Sequence, residues 1–199
     1  MKYLANGLTV LRVLLTAVLA VFLLAPSFAF DEGTTRIFCA VVFFVAALTD
    51  FLDGAIARGA NVVSDFGKFL DPVADKLLII SSFICLAVSD LADASLHILF
   101  AATAVVLLFR ELAVTSLRLL AATRGLVLAA RGAGKVKTFV QCVAVLWIIL
   151  EPFFAFDGAR AVSVLLVGLC ILCTLYSGLA FVPAWKRAMQ NASEKGETK

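Results

Sequence analysis

Residues 160–182, RAVSVLLVGLCILCTLYSGLAFV, form an apolar run in which Arg160 is the single charged residue. A helix that crosses the hydrocarbon core of a bilayer needs about 20 predominantly apolar residues. The rest of the chain has the same character, because 63% of its 199 residues are apolar and 16% are charged. A soluble domain has about 45–50% apolar and about 25% charged residues. The composition therefore predicts a membrane protein and excludes a soluble domain or a disordered chain.

Apolar runs of this kind occur six times along the chain. They cover about 8–29, 37–57, 72–89, 95–117, 136–155 and 160–182. In lipid, only helices and closed barrels satisfy their backbone hydrogen bonds, and barrel strands would alternate in polarity over about ten residues. The predicted fold is an all-α polytopic membrane protein with six transmembrane helices. We expect residues 1–186 to form one membrane domain and residues 187–199 to form a polar, disordered tail.

The first run also has features of a cleavable signal peptide. Lys2 precedes the apolar residues 13–25, and small residues follow near 27–29. A set of polar side chains at helical spacing, just before the run, favours a retained helix: Asn6, Thr9 and Arg12. Loss of this helix would also leave an odd number of crossings, so the N-terminus would no longer share a side with the other segments rich in lysine and arginine. We therefore expect the first helix to remain in the protein.

The distribution of positive charge predicts the orientation. Of the 17 lysines and arginines, all except Arg36 and Arg160 share one side if the N-terminus, residues 58–72, residues 118–137 and the tail lie together. Because short cytoplasmic segments carry an excess of lysine and arginine, we expect both termini to lie in the cytoplasm, with a bacterial cytoplasmic membrane as the location. The net charge of +3 is too small to indicate a nucleic-acid partner.

The five cysteines all lie within apolar runs. Cys170-x-x-Cys173 has a spacing found in metal and redox sites. Inside a lipid-embedded helix, however, cysteine usually serves as a small packing residue. We expect packing roles and no disulfide framework.

Residues 49–76 cover the end of the second apolar run, the connection after it and the start of the third run, and they read TDFLDGAIARGANVVSDFGKFLDPVADK. Asp50 and Asp53 are three residues apart, and Asp71 and Asp75 are four apart, so each pair shares one face of a helix. A short cytoplasmic turn joins the two helices and makes them antiparallel neighbours. Four carboxylates are therefore predicted to converge at the cytoplasmic ends of helices 2 and 3. Pro72 fits either the start of helix 3 or a kink within a longer helix.

Four like charges in a small space need compensation. Carboxylate ligands without histidine or cysteine suit Mg²⁺ or Mn²⁺, and two such ions about 3.5–4 Å apart would clamp a phosphoryl group. Gly54, Ala57 and Gly67 leave room beside the backbone for a substrate, and Arg58 can neutralise phosphate oxygens. A cation transporter would also use intramembrane carboxylates, but near the bilayer midplane rather than at one interface. An inactive scaffold has no support in the sequence, because all four aspartates are present.

The spacing of these residues resembles the complete signature of the CDP-alcohol phosphatidyltransferase family: Asp50-x2-Asp53-Gly54-x2-Ala57-Arg58-x8-Gly67-x3-Asp71-x3-Asp75. The resemblance implies transfer of a phosphatidyl group from CDP-diacylglycerol to an alcohol, with release of CMP. It further implies that the four aspartates bind two divalent cations and that Asp75 is the general base. By the same analogy Asp53, Gly54, Ala57, Arg58 and Gly67 surround the CDP group, and the protein is a homodimer.

The acceptor alcohol has to be inferred from residues outside the signature. Arg110 and Arg118 of helix 4, with Lys135 and Lys137 at the start of helix 5, could bind a phosphorylated acceptor. On a regular helix the two lysines point apart, so they converge only if the glycine-rich opening of helix 5 is irregular. Ordinary positive-inside topology would also account for these cations. Glu111 is expected to pair with a neighbouring arginine.

Three further stretches resemble the glycerol-phosphate branch of the family: FLDPVADK (69–76), RELAVTSLR (110–118) and GKVKT (134–138). Asn6, Thr9 and Arg12 share this resemblance, which implies glycerol 3-phosphate as the acceptor. Phosphatidylglycerol, which would give cardiolipin, is the main alternative within the family. Inositol phosphate and serine are less favoured acceptors.

Overall fold

The computed structural model describes residues 2–27, 29–57, 65–123, 133–154, 156–183 and 185. For residues 2–6, 50–57, 65–75, 133 and 135 it describes the backbone alone. The described part contains no strand, which confirms the predicted all-helical fold. Its six α-helices are α1 (Lys2–Leu24), α2 (Glu32–Ala57), α3 (Asp65–Leu86), α4 (His97–Thr123), α5 (Ala133–Leu150) and α6 (Ala159–Leu179). The predicted tail, 187–199, lies outside the described residues.

Within the part of the chain that the structure describes, five stretches are long and apolar enough to cross a membrane: Gly7–Leu24, Glu32–Thr49, Ala94–Thr123, Val136–Phe153 and Ala159–Pro183. The apolar part of α3 described with side chains, Lys76–Leu86, is shorter. Large apolar side chains such as Ile98 and Phe109 point outward and are 84% and 74% exposed. In water such a surface would be unfavourable, whereas lipid solvates it. The chain is a multi-pass membrane protein.

Three helices begin at least five residues earlier than the apolar runs predict. α1 begins at Lys2 rather than near residue 8, α2 begins at Glu32 rather than near residue 37, and α3 begins at Asp65 rather than near residue 72. Hydropathy marks only the part of a helix that lipid covers, and a helix can continue into the polar interface because its backbone hydrogen bonds are internal. α3 therefore passes through Pro72, which selects the longer of the two helices that the sequence allowed.

The helices pack around one apolar core. α1 packs against α2 and α3, α4 against α3 and α6, and α5 against α2 and α6. Large, almost fully buried side chains from four helices fill the centre: Leu19, Leu23, Phe43, Phe83 and Phe100. The rings of Phe83 and Phe100 join α3 to α4, with their centroids 6.5 Å apart. The predicted packing role of cysteine is consistent with this core, since Cys39, Cys85 and Cys170 are buried in it.

A buried arginine ties together the end of the bundle opposite the aspartates. Arg36 of α2 is 5% exposed. Its guanidinium donates hydrogen bonds to the carbonyl oxygens of Ile149 (3.1 Å) and Leu91 (2.7 Å) and to the carboxylate of Glu32 (2.8 Å). Ile149 lies at the end of α5, where helical carbonyls lack intrahelical donors. Arg36 therefore caps α5 and joins it to α2 and to the connection between α3 and α4.

Two exposed aspartates organise the connections at this same end. Asp31 precedes α2 and accepts hydrogen bonds from the hydroxyl (2.6 Å) and the amide (3.0 Å) of Thr34. Asp93 accepts equivalent bonds from the hydroxyl (2.6 Å) and the amide (2.9 Å) of Ser95. Because these bonds favour the ionised carboxylate, they lower the pKa of both aspartates. Both carboxylates therefore act as charged caps at helix starts.

We expect Arg36→Ala to destabilise the protein by about 3 kcal/mol, because two buried carbonyl oxygens lose a charged donor. Arg160→Ala is the matched control, since Arg160 forms an exposed ion pair with Asp93 at the same end. Such exposed pairs contribute about 1 kcal/mol or less. Thermal unfolding in detergent measures both changes. Equal losses of stability in the two variants would contradict the capping role of Arg36.

Candidate active site

The four aspartates lie on the facing ends of α2 and α3. Asp50 and Asp53 precede the end of α2 at Ala57, and Asp71 and Asp75 follow the start of α3 at Asp65. A helix rises about 1.5 Å per residue, so Asp50 and Asp71 both lie about 10 Å from those ends. Gly54, Ala57 and Gly67 belong to the same two helix ends, whereas Arg58 lies outside the described residues. The predicted convergence of the four carboxylates stays a prediction, because their side chains are not described.

Two of the polar residues that precede the first apolar run, Thr9 and Arg12, lie on the buried side of α1. Thr9 and Arg12 are each 1% exposed, and the Thr16 hydroxyl donates to the Arg12 carbonyl oxygen at 2.8 Å. α1 packs against both α2 and α3, the helices that carry the aspartates. Thr9 and Arg12 therefore face the interior of the bundle rather than lipid.

A buried carboxylate joins cations from three helices. Glu111 of α4 accepts a hydrogen bond from Arg110 at 2.7 Å, which confirms the predicted pairing with an arginine. The same oxygen, Oε1, accepts a hydrogen bond from the ammonium group of Lys137 of α5. Its other oxygen lies 3.6 Å from Nζ of Lys76 of α3, which also donates to the Thr115 hydroxyl at 2.9 Å. We refer to Lys76, Arg110, Glu111 and Lys137 as the Glu111 cluster.

A small cavity adjoins the Glu111 cluster. It is lined by Lys76, Ile79, Ile80, Leu107, Glu111, Lys137, Thr138 and Gln141. Its volume is about 20 Å³, enough for about one water molecule. Lys76, which lines the cavity, directly follows Asp75 in α3. Gln141 donates to the Thr174 hydroxyl at 3.1 Å and so links the cavity wall to α6.

The structure brings together two of the four predicted acceptor-binding cations. Arg110 and Lys137 meet at Glu111. Arg118 is exposed and lies over the ring of Phe181, with the guanidinium carbon 5.5 Å from the ring centre. For Lys135 only the backbone, within α5, is described.

Arg110 is held on two sides and has a donor left over. Its NH1 group is bonded to Glu111, and its side chain packs against Gly178 of α6. Its Nε atom is buried and has no hydrogen-bond partner among the described residues. This Nε atom faces α6, where a Cβ atom at position 178 would lie 3.9 Å from it.

The residues predicted from the sequence to bind the acceptor did not include Lys76, Thr115 or Gln141. One signal for the cluster was available, because a carboxylate inside an apolar run requires a partner. The identity of the distant partners depends on how α3 and α5 are rotated against α4. A single sequence does not contain that rotation.

Carboxylates at the ends of two helices, next to a cluster with more cations than anions, are typical of membrane enzymes that act on phosphate groups. Residues 2–182 match the family described as CDP-alcohol phosphatidyltransferase. The chain belongs to this family and is a phosphatidyltransferase, as the resemblance of residues 50–75 predicted.

Several bacterial proteins are similar over most of the chain. A Bacillus subtilis protein named CDP-diacylglycerol–glycerol-3-phosphate 3-phosphatidyltransferase is 40% identical over 162 residues, which cover 75% of this chain and 79% of the relative. A Mycobacterium tuberculosis protein named probable phosphatidylglycerophosphate synthase is 37% identical, with 90% and 79% covered. A Rickettsia felis protein with the same name as the first is 35% identical, with 94% and 97% covered.

Glycine substitutions in α6 test the packing of Arg110. A Cβ atom at position 178 would lie 3.3 Å from Cγ of Arg110, whereas Gly168 has open space around it. Replacing glycine by alanine within a helix normally stabilises it by about 0.5–1 kcal/mol. We expect Gly168→Ala to show this gain in thermal unfolding and Gly178→Ala to lose it, because the bond to Glu111 prevents Arg110 from yielding. An equal gain in both variants would show that Arg110 moves freely.

Proposed function

We propose that the protein transfers the phosphatidyl group of CDP-diacylglycerol to glycerol 3-phosphate, giving phosphatidylglycerophosphate and CMP. The observation that carries this proposal is the Glu111 cluster, whose three cations and one carboxylate lie beside the helix that bears Asp71 and Asp75. A neutral acceptor would not require an excess of positive charge, whereas a phosphorylated one would. The names of the three relatives support the same donor and acceptor.

We also propose six crossings, with α3 as the sixth spanning helix and both termini in the cytoplasm. α3 has 22 residues, which is long enough to span a bilayer, although its first half carries charges. Those charges would lie at the cytoplasmic interface, where the nucleotide and glycerol 3-phosphate are dissolved. Residues 1–186 would form one domain of a homodimer in a bacterial cytoplasmic membrane.

The donor set of the signature fits divalent cations. All four candidate ligands, Asp50, Asp53, Asp71 and Asp75, are carboxylates, which are the ligands that Mg²⁺ and Mn²⁺ prefer. Two ions held there would neutralise charge on the phosphate oxygens of the donor. The glycines and Ala57 of the same helix ends leave space for the CDP group, with Arg58 positioned by the sequence to contact its phosphates.

The proposed reaction is a direct displacement at phosphorus. Asp75 accepts the proton of the acceptor hydroxyl, and the hydroxyl oxygen forms a bond to the phosphorus of the phosphatidyl group. The bond between that phosphorus and the bridging oxygen breaks, and CMP leaves with the electron pair. The acceptor phosphate is bound by Arg110, Arg118, Lys135 and Lys137, so that its hydroxyl is held near the donor. The meeting of Arg110 and Lys137 at Glu111 supports this assignment, because it gathers two of these four cations into one cluster.

The test is CMP release by the purified protein from CDP-diacylglycerol with Mg²⁺ or Mn²⁺ and a panel of acceptors. The panel contains glycerol 3-phosphate, phosphatidylglycerol, inositol phosphate, inositol and serine. Release that depends on glycerol 3-phosphate supports the proposal. Release with phosphatidylglycerol or inositol phosphate alone would keep the family's chemistry and overturn the acceptor. No release with any acceptor, in a folded protein with metal present, would overturn the proposed reaction.

We predict that Asp75→Asn lowers kcat by at least about a hundredfold, because general-base catalysis contributes about 10²–10⁴. The thermal unfolding temperature should change little, since the two side chains have nearly the same shape. Asp65→Asn is the matched control, because Asp65 is in the same helix but outside the signature. Wild-type turnover of the Asp75 variant would exclude Asp75 as the base.

A further inference from the structure

Glu111 lies where an anion would be expected to compete with the substrate. Its carboxylate is buried within the part of α4 that lines the cavity, and it contacts cations from α3, α4 and α5. If the pocket served only to concentrate positive charge, this carboxylate would weaken acceptor binding. A second role has to account for its presence among the cations.

We propose that Glu111 is a positioning residue for the acceptor, which it serves by holding Lys137 and Lys76 in fixed directions. This inference rests on the proposed function, since that function assigns Lys137 to binding of a phosphate monoester. Glu111 itself does not contact the substrate.

The physical reason is the flexibility of lysine. A lysine side chain loses more rotamer entropy than most side chains when it is ordered. The ammonium group has three N–H donors in a tetrahedral arrangement, so a hydrogen bond to Glu111 fixes the direction of the other two. Lys137 is therefore ordered before the acceptor arrives, so the free energy of acceptor binding is not reduced by the entropy lost in ordering this side chain.

Lys76 extends this role toward the aspartates. Its ammonium is held by Thr115 at 2.9 Å and lies 3.6 Å from Glu111. Because Lys76 directly follows Asp75, these two contacts restrict the rotation of α3 against α4 at the proposed general base. Glu111 thus links the position of the acceptor's phosphate to the position of the residue that takes its proton.

The charge of the cluster matches the proposed acceptor. Three cations and one carboxylate leave a formal charge of +2, and a phosphate monoester carries about −1.5 to −2 at pH 7. Glu111→Gln would raise the formal charge to +3 with little change of shape. Charge alone then predicts tighter binding of the acceptor, whereas positioning predicts weaker binding. The two explanations therefore differ in sign.

The experiment is a double-mutant cycle on the full chain in lipid nanodiscs. The KM values for glycerol 3-phosphate and for CDP-diacylglycerol are measured for the wild type, Glu111→Gln, Lys137→Met and the double variant. Glu32→Gln is the matched control, because Glu32 pairs with a buried arginine at the opposite end of the bundle. It is expected to leave both KM values unchanged.

We expect Glu111→Gln to raise the KM for glycerol 3-phosphate by about tenfold, the effect of losing one charge-assisted hydrogen bond. The KM for CDP-diacylglycerol should stay within about twofold, because the carboxylate contacts no residue assigned to the donor. The double variant should have nearly the acceptor KM of Lys137→Met, because Lys137 bonds directly to Glu111, whereas the bond to Thr115 still holds Lys76 when Glu111 is replaced.

A lower or unchanged acceptor KM in Glu111→Gln would overturn the positioning role. So would a double variant whose acceptor KM rises by the product of the two single-variant factors. If Glu111→Gln does not fold, Lys137→Met and the double variant still decide the matter, because a further rise in the double variant contradicts the inference. A wild type whose CMP release does not depend on glycerol 3-phosphate would instead contradict the proposed function. The two failures are therefore distinguishable.

Discussion

The contacts of Glu111 with Lys137 and Lys76 constrain the three helices around them. A buried charge whose partner is removed costs about 3–5 kcal/mol, so a carboxylate in the apolar bundle dictates where cations of the neighbouring helices must lie. These contacts fix how α3, α4 and α5 are rotated about their axes at the end of the bundle that adjoins the signature. Arg36 acts similarly at the other end, where it holds α2 to the end of α5 through backbone carbonyls. Apolar packing of Phe43, Phe83 and Phe100 fills the space between these two polar layers.

This arrangement suits chemistry on a lipid whose reactive group is in water. The acyl chains of CDP-diacylglycerol require access from the bilayer, whereas its nucleotide and a phosphorylated acceptor are polar. Helix ends are the places where an all-helical membrane protein can satisfy both requirements, because charged side chains there can reach the interface. The family to which the chain belongs carries its signature on two such helix ends. The Glu111 cluster adds a buried group of side chains with net positive charge beside them, formed by residues outside the signature.

Hydropathy alone was sufficient to predict the helical fold and the approximate positions of the apolar stretches. It did not predict that α3 begins at Asp65 and passes through Pro72, because hydropathy does not report on helix beyond the lipid. For the site, the spacing of Asp50, Asp53, Asp71 and Asp75 was enough to assign the family, since each pair shares a helix and needs no tertiary information. The pairing of Glu111 with Arg110 was likewise a local contact. Its contacts with Lys137 and Lys76 depend on helix rotation, which is set by packing throughout the bundle.

We propose that the carboxylates of α2 and α3 form a single site for two divalent cations. Mn²⁺ binding to the protein in nanodiscs with CDP-diacylglycerol, followed by electron paramagnetic resonance, tests it directly. We expect two Mn²⁺ per chain with a spectrum broadened by spin coupling, because two ions that share carboxylates lie about 3.5–4 Å apart. Asp71→Asn should abolish the coupled signal. Uncoupled Mn²⁺, or binding that Asp71→Asn leaves unchanged, would contradict the account.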